Sequence, residues 1–160
     1  MISGELYKDE FIEELANFLK VYQVKTILEC GCGDGNVLYG LAKRGFKGIG
    51  IDESEEMIKL AKESHSHKNI AYRHLNWLDL NKLKEKFDCV MCRGGSLSLV
   101  ISWGREMGLF DPKSAKKSIE RSIGYMVKKV KAGGIIYVDS IRNDEEDSIH
   151  IKTKNINVGE

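Results

Sequence analysis

Apolar positions along the chain switch between two periods, and the switches mark the elements. From Tyr7 to Tyr22, Leu6, Phe11, Leu15, Phe18 and Leu19 recur at about one helical turn, which predicts a helix. Short apolar runs predict strands: Thr26 to Glu29, β-branched at its start and ending in glycines, then Gly48 to Asp52, Ile70 to His74 and Phe87 to Cys92. Helical spacing returns between them. Asn36 to Arg44 turns Val37, Leu38 and Leu41 inward and stops at Gly45. Ser54 caps a helix with Met57, Ile58, Leu60 and Ala61 on its apolar face, and Ser64 to Lys68 reads as loop. A short helix is predicted at Leu83 to Lys86.

Gly94 and Gly95 break the fourth strand, and Trp103 to Lys113 looks irregular. Pro112, the sole proline, introduces a helix from Ser114 to Val130 with Ile119, Ile123, Met126, Val127 and Val130 as its buried stripe. Ala132-Gly133-Gly134 predicts a tight turn before a fifth strand, Ile135 to Asp139. Beyond an acidic stretch, Ile149 to Val158 alternates and predicts the start of a sixth strand. Strand and helix alternate without internal repeat. That order builds an α/β fold: a Rossmann-like, doubly wound, mostly parallel sheet with helices on both faces. At 160 residues the chain reads as one domain, 1–160.

Charge narrows the partners. The formal net charge is +1, so nothing demands nucleic acid or an acidic membrane surface. No apolar run approaches the roughly 20 residues that cross a bilayer, and no signal peptide is read at the start. A cytoplasmic protein fits, as do its four thiols, Cys30, Cys32, Cys89 and Cys92. Their C-x-C and C-x-x-C spacings raise a zinc site. One pair lies in a glycine turn with its own explanation and the other in a buried strand, so no metal is expected.

That turn, Glu29-Cys30-Gly31-Cys32-Gly33-Asp34-Gly35, joins a predicted strand to a predicted helix. In a doubly wound sheet this is where ligands bind: glycines admit close approach, and the helix start offers N–H groups to an anion. A dinucleotide fingerprint needs G-x-G-x-x-G, but its third glycine would fall on Asn36. The pattern E-x-G-x-G-x-G instead resembles motif I of class I S-adenosylmethionine-dependent methyltransferases. Taken alone, the three glycines also read as a plain βα turn.

Three further positions appear in the right order. Asp52, ending the second strand, suits the two ribose hydroxyls of an adenosine, although a carboxylate before a helix also has a dipole reading. Glu53 and Met57 beside it are counted with the cofactor residues. Asn76, Trp77 and Leu78 follow the third strand, where the resemblance implies adenine contacts; Trp77 offers a flat face or, equally, a core side chain. Cys92 and Arg93, with Gly94-Gly95-Ser96, follow the fourth strand, where the methyl group would lie.

The resemblance narrows to the glycine/sarcosine N-methyltransferase group. Asn76-Trp77-Leu78 is similar to its N-W-L, Cys92 to Ser96 resembles its C-x-G-N-S, and Gly133 to Asp139, followed closely by Arg142-Asn143, resembles its G-G turn and D-x-R-N segment. It covers roughly Ile27 to Asn157. It implies S-adenosylmethionine as cofactor, S-adenosylhomocysteine as product, and a small-molecule acceptor, an amino-acid amine. It gives Arg142 the acceptor carboxylate and places Ser96 at the substrate; the bare residue at 142 also reads as a solvated charge facing Asp144 to Asp147. Gly95 stands where the group has asparagine, and Ser96-Leu97-Ser98 lacks the histidine expected next, which alters acceptor contacts. The sheet of the group runs to about seven strands, and this sequence stops near the sixth. An edge left beside the fifth strand suits pairing in a homo-oligomer. No general base stands out: His65, His67, His74 and His150 lie in loop or strand contexts. The rival readings are a non-catalytic S-adenosylmethionine-binding or interaction module and, less well matched, a nicotinamide-dependent dehydrogenase.

Overall fold

The computed structural model describes residues 9–97 and 112–139, with side chains from 116 onward in the second segment. Five strands form one parallel sheet: β1 (Thr26–Cys30), β2 (Lys47–Asp52), β3 (Ile70–His74), β4 (Phe87–Cys92) and β5 (Val130–Val138), in the order β3-β2-β1-β4-β5. The order reverses between β1 and β4, where Glu29 opposes Met91 and Cys30 opposes Cys92. This is the switch point of a doubly wound sheet, where two neighbouring strands leave in opposite lateral directions and open a crevice above their carboxyl ends.

Strand alternation splits the core into two layers. Ile27 of β1 with Cys89 and Met91 of β4 face α1 (Asp9–Val21), α2 (Asn36–Lys43) and α3 (Glu55–Ser64) through Leu15, Leu19, Leu38, Leu41 and Ile58. Leu28, Cys30, Val90 and Cys92 face the opposite layer, built from a 3-10 turn (Trp77–Lys82) and α4 (Pro112–Val127), through Trp77, Leu80 and Met126. Both faces of β1 are closed to solvent from Ile27 to Cys30, which suits Ile27, Leu28 and Cys30 and leaves Glu29 as a charge buried among them.

The local signals behave as their chemistry dictates. The Ser54 hydroxyl accepts from Met57 N–H at 3.3 Å and starts α3. Gly45, at φ +95°, ends the α2 segment, with Phe46 N–H returning to Leu41 C=O at 3.2 Å. On α3, only part of the predicted apolar face is inside: Ile58 and Ala61 are buried, while Met57 and Leu60 are exposed.

Two boundaries differ from expectation. The short helix sits at Trp77–Lys82 and not at 83–86, because Asn76 caps it: its Oδ1 accepts from Leu78 N–H at 2.9 Å. The fifth strand begins at Val130, the residue predicted to end the last helix, and passes through the predicted turn. Between the pairs Phe87↔Val130 and Cys89↔Ile135, Asp88 alone opposes residues 131–134. The surplus is a bulge, with Gly133 at φ +76°. It is clamped at the amino end of the sheet: Asp88 accepts from Lys25 N–H, Thr26 N–H and Thr26 Oγ1 at 2.7–3.0 Å and from Lys131 Nζ at 2.9 Å. The predicted sixth strand at 149–158 lies outside the described residues.

Candidate functional site

The turn after β1 is held from three sides. Gly31 and Cys32 N–H both donate to Ile51 C=O at 2.9 Å, fastening it to β2. Gly33 N–H donates to Asp52 Oδ2 at 2.9 Å, and Ser54 N–H donates to Oδ1 of the same carboxylate at 2.9 Å. The Tyr72 hydroxyl of β3 lies 3.2 Å from Gly35 C=O and 3.0 Å from His65 C=O, while His65 Nδ1 meets Asp34 C=O at 2.7 Å.

The glycines answer different needs. Gly31, Gly33 and Gly35 all have positive φ, but an added Cβ would meet different surroundings. At Gly35 it would stand 2.5 Å from the Tyr72 hydroxyl, and at Gly31 3.2 Å from Ser96. At Gly33 nothing lies within 4 Å. Gly35 is thus packed shut, and Gly33 borders open space at the crevice, the cradle a ligand backbone contact requires.

Glu29 and Arg93, placed at the ends of β1 and β4, form a buried ion pair across the switch point. Arg93 donates to Glu29 Oε1 through Nη2 at 2.7 Å and through Nε at 3.0 Å. Their side chains are 1% and 6% exposed, which places the pair in the low-dielectric interior. Glu29 Oε2 is buried and has no hydrogen-bond partner among the described residues. Burial raises the Glu29 carboxyl pKa, Arg93 opposes this, and Asp34 and Asp139 add to the rise. Asp139, just past β5, also reaches the site: its Oδ1 accepts from Gly95 N–H at 3.3 Å.

A second group gathers at the ends of β2 and β3. Leu75 N–H donates to Asp52 C=O at 3.0 Å, and Asn76 Nδ2 donates to Glu53 Oε2 at 2.7 Å. His74 Nε2 meets Glu53 C=O at 2.9 Å. Leu78 is half-buried beside Asn76, and Met57 sits exposed at the first turn of α3.

The structure therefore brings Glu29, Gly31, Gly33, Asp52, Arg93 and Ser96 around one turn, with Glu53, Asn76 and Leu78 adjoining. Three expected side chains point elsewhere. Trp77 is 3% exposed and packs in the α4-side core, so it underlies the glycine turn and presents no open face for stacking. The Cys32 side chain enters the α1-side core beneath Gly50, and Cys92 lies in the other core; each contributes backbone to the site. Arg142 lies outside the described residues. Sequence reasoning missed Tyr72, His65, Asp139 and the partnership of Arg93. The adjacency of the first and fourth strands, implied by the fold class, was the available signal for that partnership.

Fold and crevice together define a class I, Rossmann-like S-adenosylmethionine-dependent methyltransferase core. Comparison with known proteins agrees: a match to the Methyltransferase domain covers residues 27–120, and the chain belongs to that family. It is 25% identical over 140 residues to glycine N-methyltransferase of Mus musculus, covering 81% of this chain and 45% of that protein. It is 31% identical over 87 residues to glycine/sarcosine N-methyltransferase of Aphanothece halophytica, covering 52% and 33%. Among solved structures, S-adenosylmethionine-bound CalS10 from Micromonospora echinaspora, an amino pentose methyltransferase, superposes with a TM-score of 0.68 at 17% identity, covering 87% of this chain and 52% of that one. The chain spans less than half the length of the curated relatives named here.

The residues present fit that cofactor. Its amino-acid portion carries an ammonium, and the buried Glu29 Oε2 lacks a donor. Gly33 leaves room for close backbone approach. Asp52 uses one hydrogen bond per oxygen in the turn, leaving acceptor capacity for ribose hydroxyls.

Proposed function

We propose that this chain binds S-adenosylmethionine over the glycine turn and transfers its methyl group to a small-molecule acceptor, an amino-acid amine of the glycine or sarcosine kind. The observation that carries the reading is the open face of Gly33, at the switch point, tied to the Asp52 carboxylate at 2.9 Å. The cofactor supplies a methyl group already activated on a sulfonium, so the protein's task is to hold two reactants in line. Asp52 takes the ribose hydroxyls, with Glu53 and Asn76 toward the base, and the turn after β1 receives the amino-acid portion. Ser96, against Gly31, stands where the acceptor approaches, and Arg142 pairs with its carboxylate. The amine acceptor draws support from the relatives' names: glycine, glycine/sarcosine and N-demethylindolmycin N-methyltransferases are each named for methylation at nitrogen.

We further propose one domain over 1–160, a cytoplasmic location, no nucleic-acid or membrane partner, and pairing of copies along the side of β5 that no described strand occupies. No helix among the described residues is long and apolar enough to cross a membrane.

Calorimetric titration with S-adenosylhomocysteine, with NAD as control, tests the cofactor. Binding of the first alone is expected; binding of NAD alone, or of neither by folded protein, overturns the reading. Methyl transfer from labelled cofactor to a panel of amines then tests the acceptor. Binding without turnover across that panel would favour a non-catalytic module.

A further inference from the structure

Arg93 directly follows β4, and its guanidinium is returned into the interior to meet Glu29. Both contacts fall on one oxygen, Oε1, and the other oxygen stays buried without a donor. A carboxylate needing only neutralisation would be gripped by both oxygens in a bidentate fork. The carboxylates of Asp34 and Asp139 face Glu29 from the turn after β1 and from the end of β5, and Asp52 faces the same turn from β2. The groups of Cys30, Cys32 and Cys92 nearest to it are buried thiols. A carboxylate among other carboxylates at a buried site takes up a proton unless a cation opposes it.

We propose that Arg93 is a positioning residue that grips Glu29 by Oε1 and presents Oε2, as an anion, to a cationic N–H donor of the ligand in the glycine turn. The proposal rests on the cofactor reading above, in which that donor is the ammonium of the amino-acid portion. Arg93 would not touch the ligand; it acts through Glu29. A ligand lacking the ammonium should be indifferent to it.

The test is calorimetry on the full chain with two probes, S-adenosylhomocysteine and 5′-methylthioadenosine, which keeps the nucleoside but lacks the amino-acid portion. Arg93→Met should weaken S-adenosylhomocysteine at least tenfold and leave 5′-methylthioadenosine within twofold. Between pH 6 and 8 its affinity for S-adenosylhomocysteine should rise with pH more steeply than that of the unaltered chain, because Glu29 without its cation must lose a proton to bind. Arg93→Lys should recover part of the loss. Breaking a buried pair from one side can unfold a protein, so the paired variant Glu29→Gln/Arg93→Met, which buries no charge there, is measured beside it. It should fold, bind 5′-methylthioadenosine normally, and still bind S-adenosylhomocysteine at least tenfold more weakly. Equal loss for both probes, or no loss for either, overturns the role given to Arg93. Failure of the unaltered chain to bind either probe instead overturns the cofactor reading beneath it.

Discussion

The Tyr72 hydroxyl stands 3.2 Å from the carbonyl of Gly35, so a strand two positions away in the sheet fixes the last residue of the glycine turn. The same hydroxyl reaches His65 C=O at 3.0 Å, and thereby joins β3, the end of α3 and the turn in one contact. Burial holds the phenol well above the usual tyrosine range, so it remains an O–H donor at any working pH. Tyr72→Phe keeps the ring, removes the donor and should cost about 1–2 kcal/mol in denaturant unfolding. A cost below about 0.3 kcal/mol would show that the hydroxyl ties nothing.

Gly33 and Gly35 should separate stability from binding. At Gly35 a methyl group would meet the Tyr72 ring at 2.6 Å in addition to occupying φ +77°. Gly35→Ala should therefore destabilise the fold by roughly 2–4 kcal/mol, the sum of left-handed strain and overpacking. Gly33→Ala meets no atom within 4 Å and bears only the strain of φ +54°, about 1–2 kcal/mol. Its methyl group would project into the crevice, so S-adenosylhomocysteine affinity should fall at least tenfold in a protein that still melts cooperatively. If Gly33→Ala binds normally, the open face is not where ligand lies.

Asp52 should show its dual role in a cycle. Asp52→Asn retains one acceptor oxygen where two N–H groups, Gly33 and Ser54, now donate. The variant should bind S-adenosylhomocysteine about tenfold more weakly, equivalent to about 1.4 kcal/mol. Removing the 2′-hydroxyl from the ligand should weaken binding to the unaltered chain and make little further difference to Asp52→Asn. Independent losses from the two changes would show that Asp52 orders the turn without touching the ribose.

Much of this was legible before any coordinates, and the failures share a cause. The glycine turn, Asp52, the Ser54 cap and the Gly45 stop were readable because each is set by chemistry within a few residues. The position of β5 was not, since the bulge at residues 131–134 exists only against Asp88 of another strand. Trp77 offered two readings as a lone aromatic at a strand end, and the layer of Leu80 and Met126 around it decided for the core. The Glu29–Arg93 pair spans 64 positions and is produced by strand order, not by local pattern. Met57 and Leu60 keep helical spacing, yet no described element covers them and both stand exposed.

The four thiols should be silent in the folded state. Cys30, Cys32, Cys89 and Cys92 are all buried, and burial is the largest cause of their raised pKa values; Cys89 and Cys92 are pushed up to about 12. At pH 8 a thiol titrating there is a thiolate in roughly one molecule in ten thousand. An aromatic disulfide reagent should label none of them rapidly in native buffer and all four in guanidinium. Cys32 lies at the glycine turn, so S-adenosylhomocysteine should slow whatever labelling local opening allows. Rapid native labelling of Cys32 would mean the turn opens far more often than its hydrogen bonds imply.

Acid stability should depend on Asp88. Burial raises its carboxyl, but hydrogen bonds from Lys131, Thr26 and Lys25 outweigh that and lower it to about 2. A folded pKa below the unfolded value near 3.9 means that the unfolded chain binds the proton more readily. The contribution is therefore present in full above about pH 4 and is lost as pH falls through about 2. With the carboxylate a quarter exposed and screened, on the order of 1–2 kcal/mol is expected. Asp88→Asn should lose that amount at pH 7, and its stability should fall less steeply between pH 4 and pH 2 than that of the unaltered chain. Lys131→Met, removing one donor among several, should lose less. Parallel acid unfolding curves for Asp88→Asn and the unaltered chain would show that the clamp at the base of the sheet carries no charge-dependent stability.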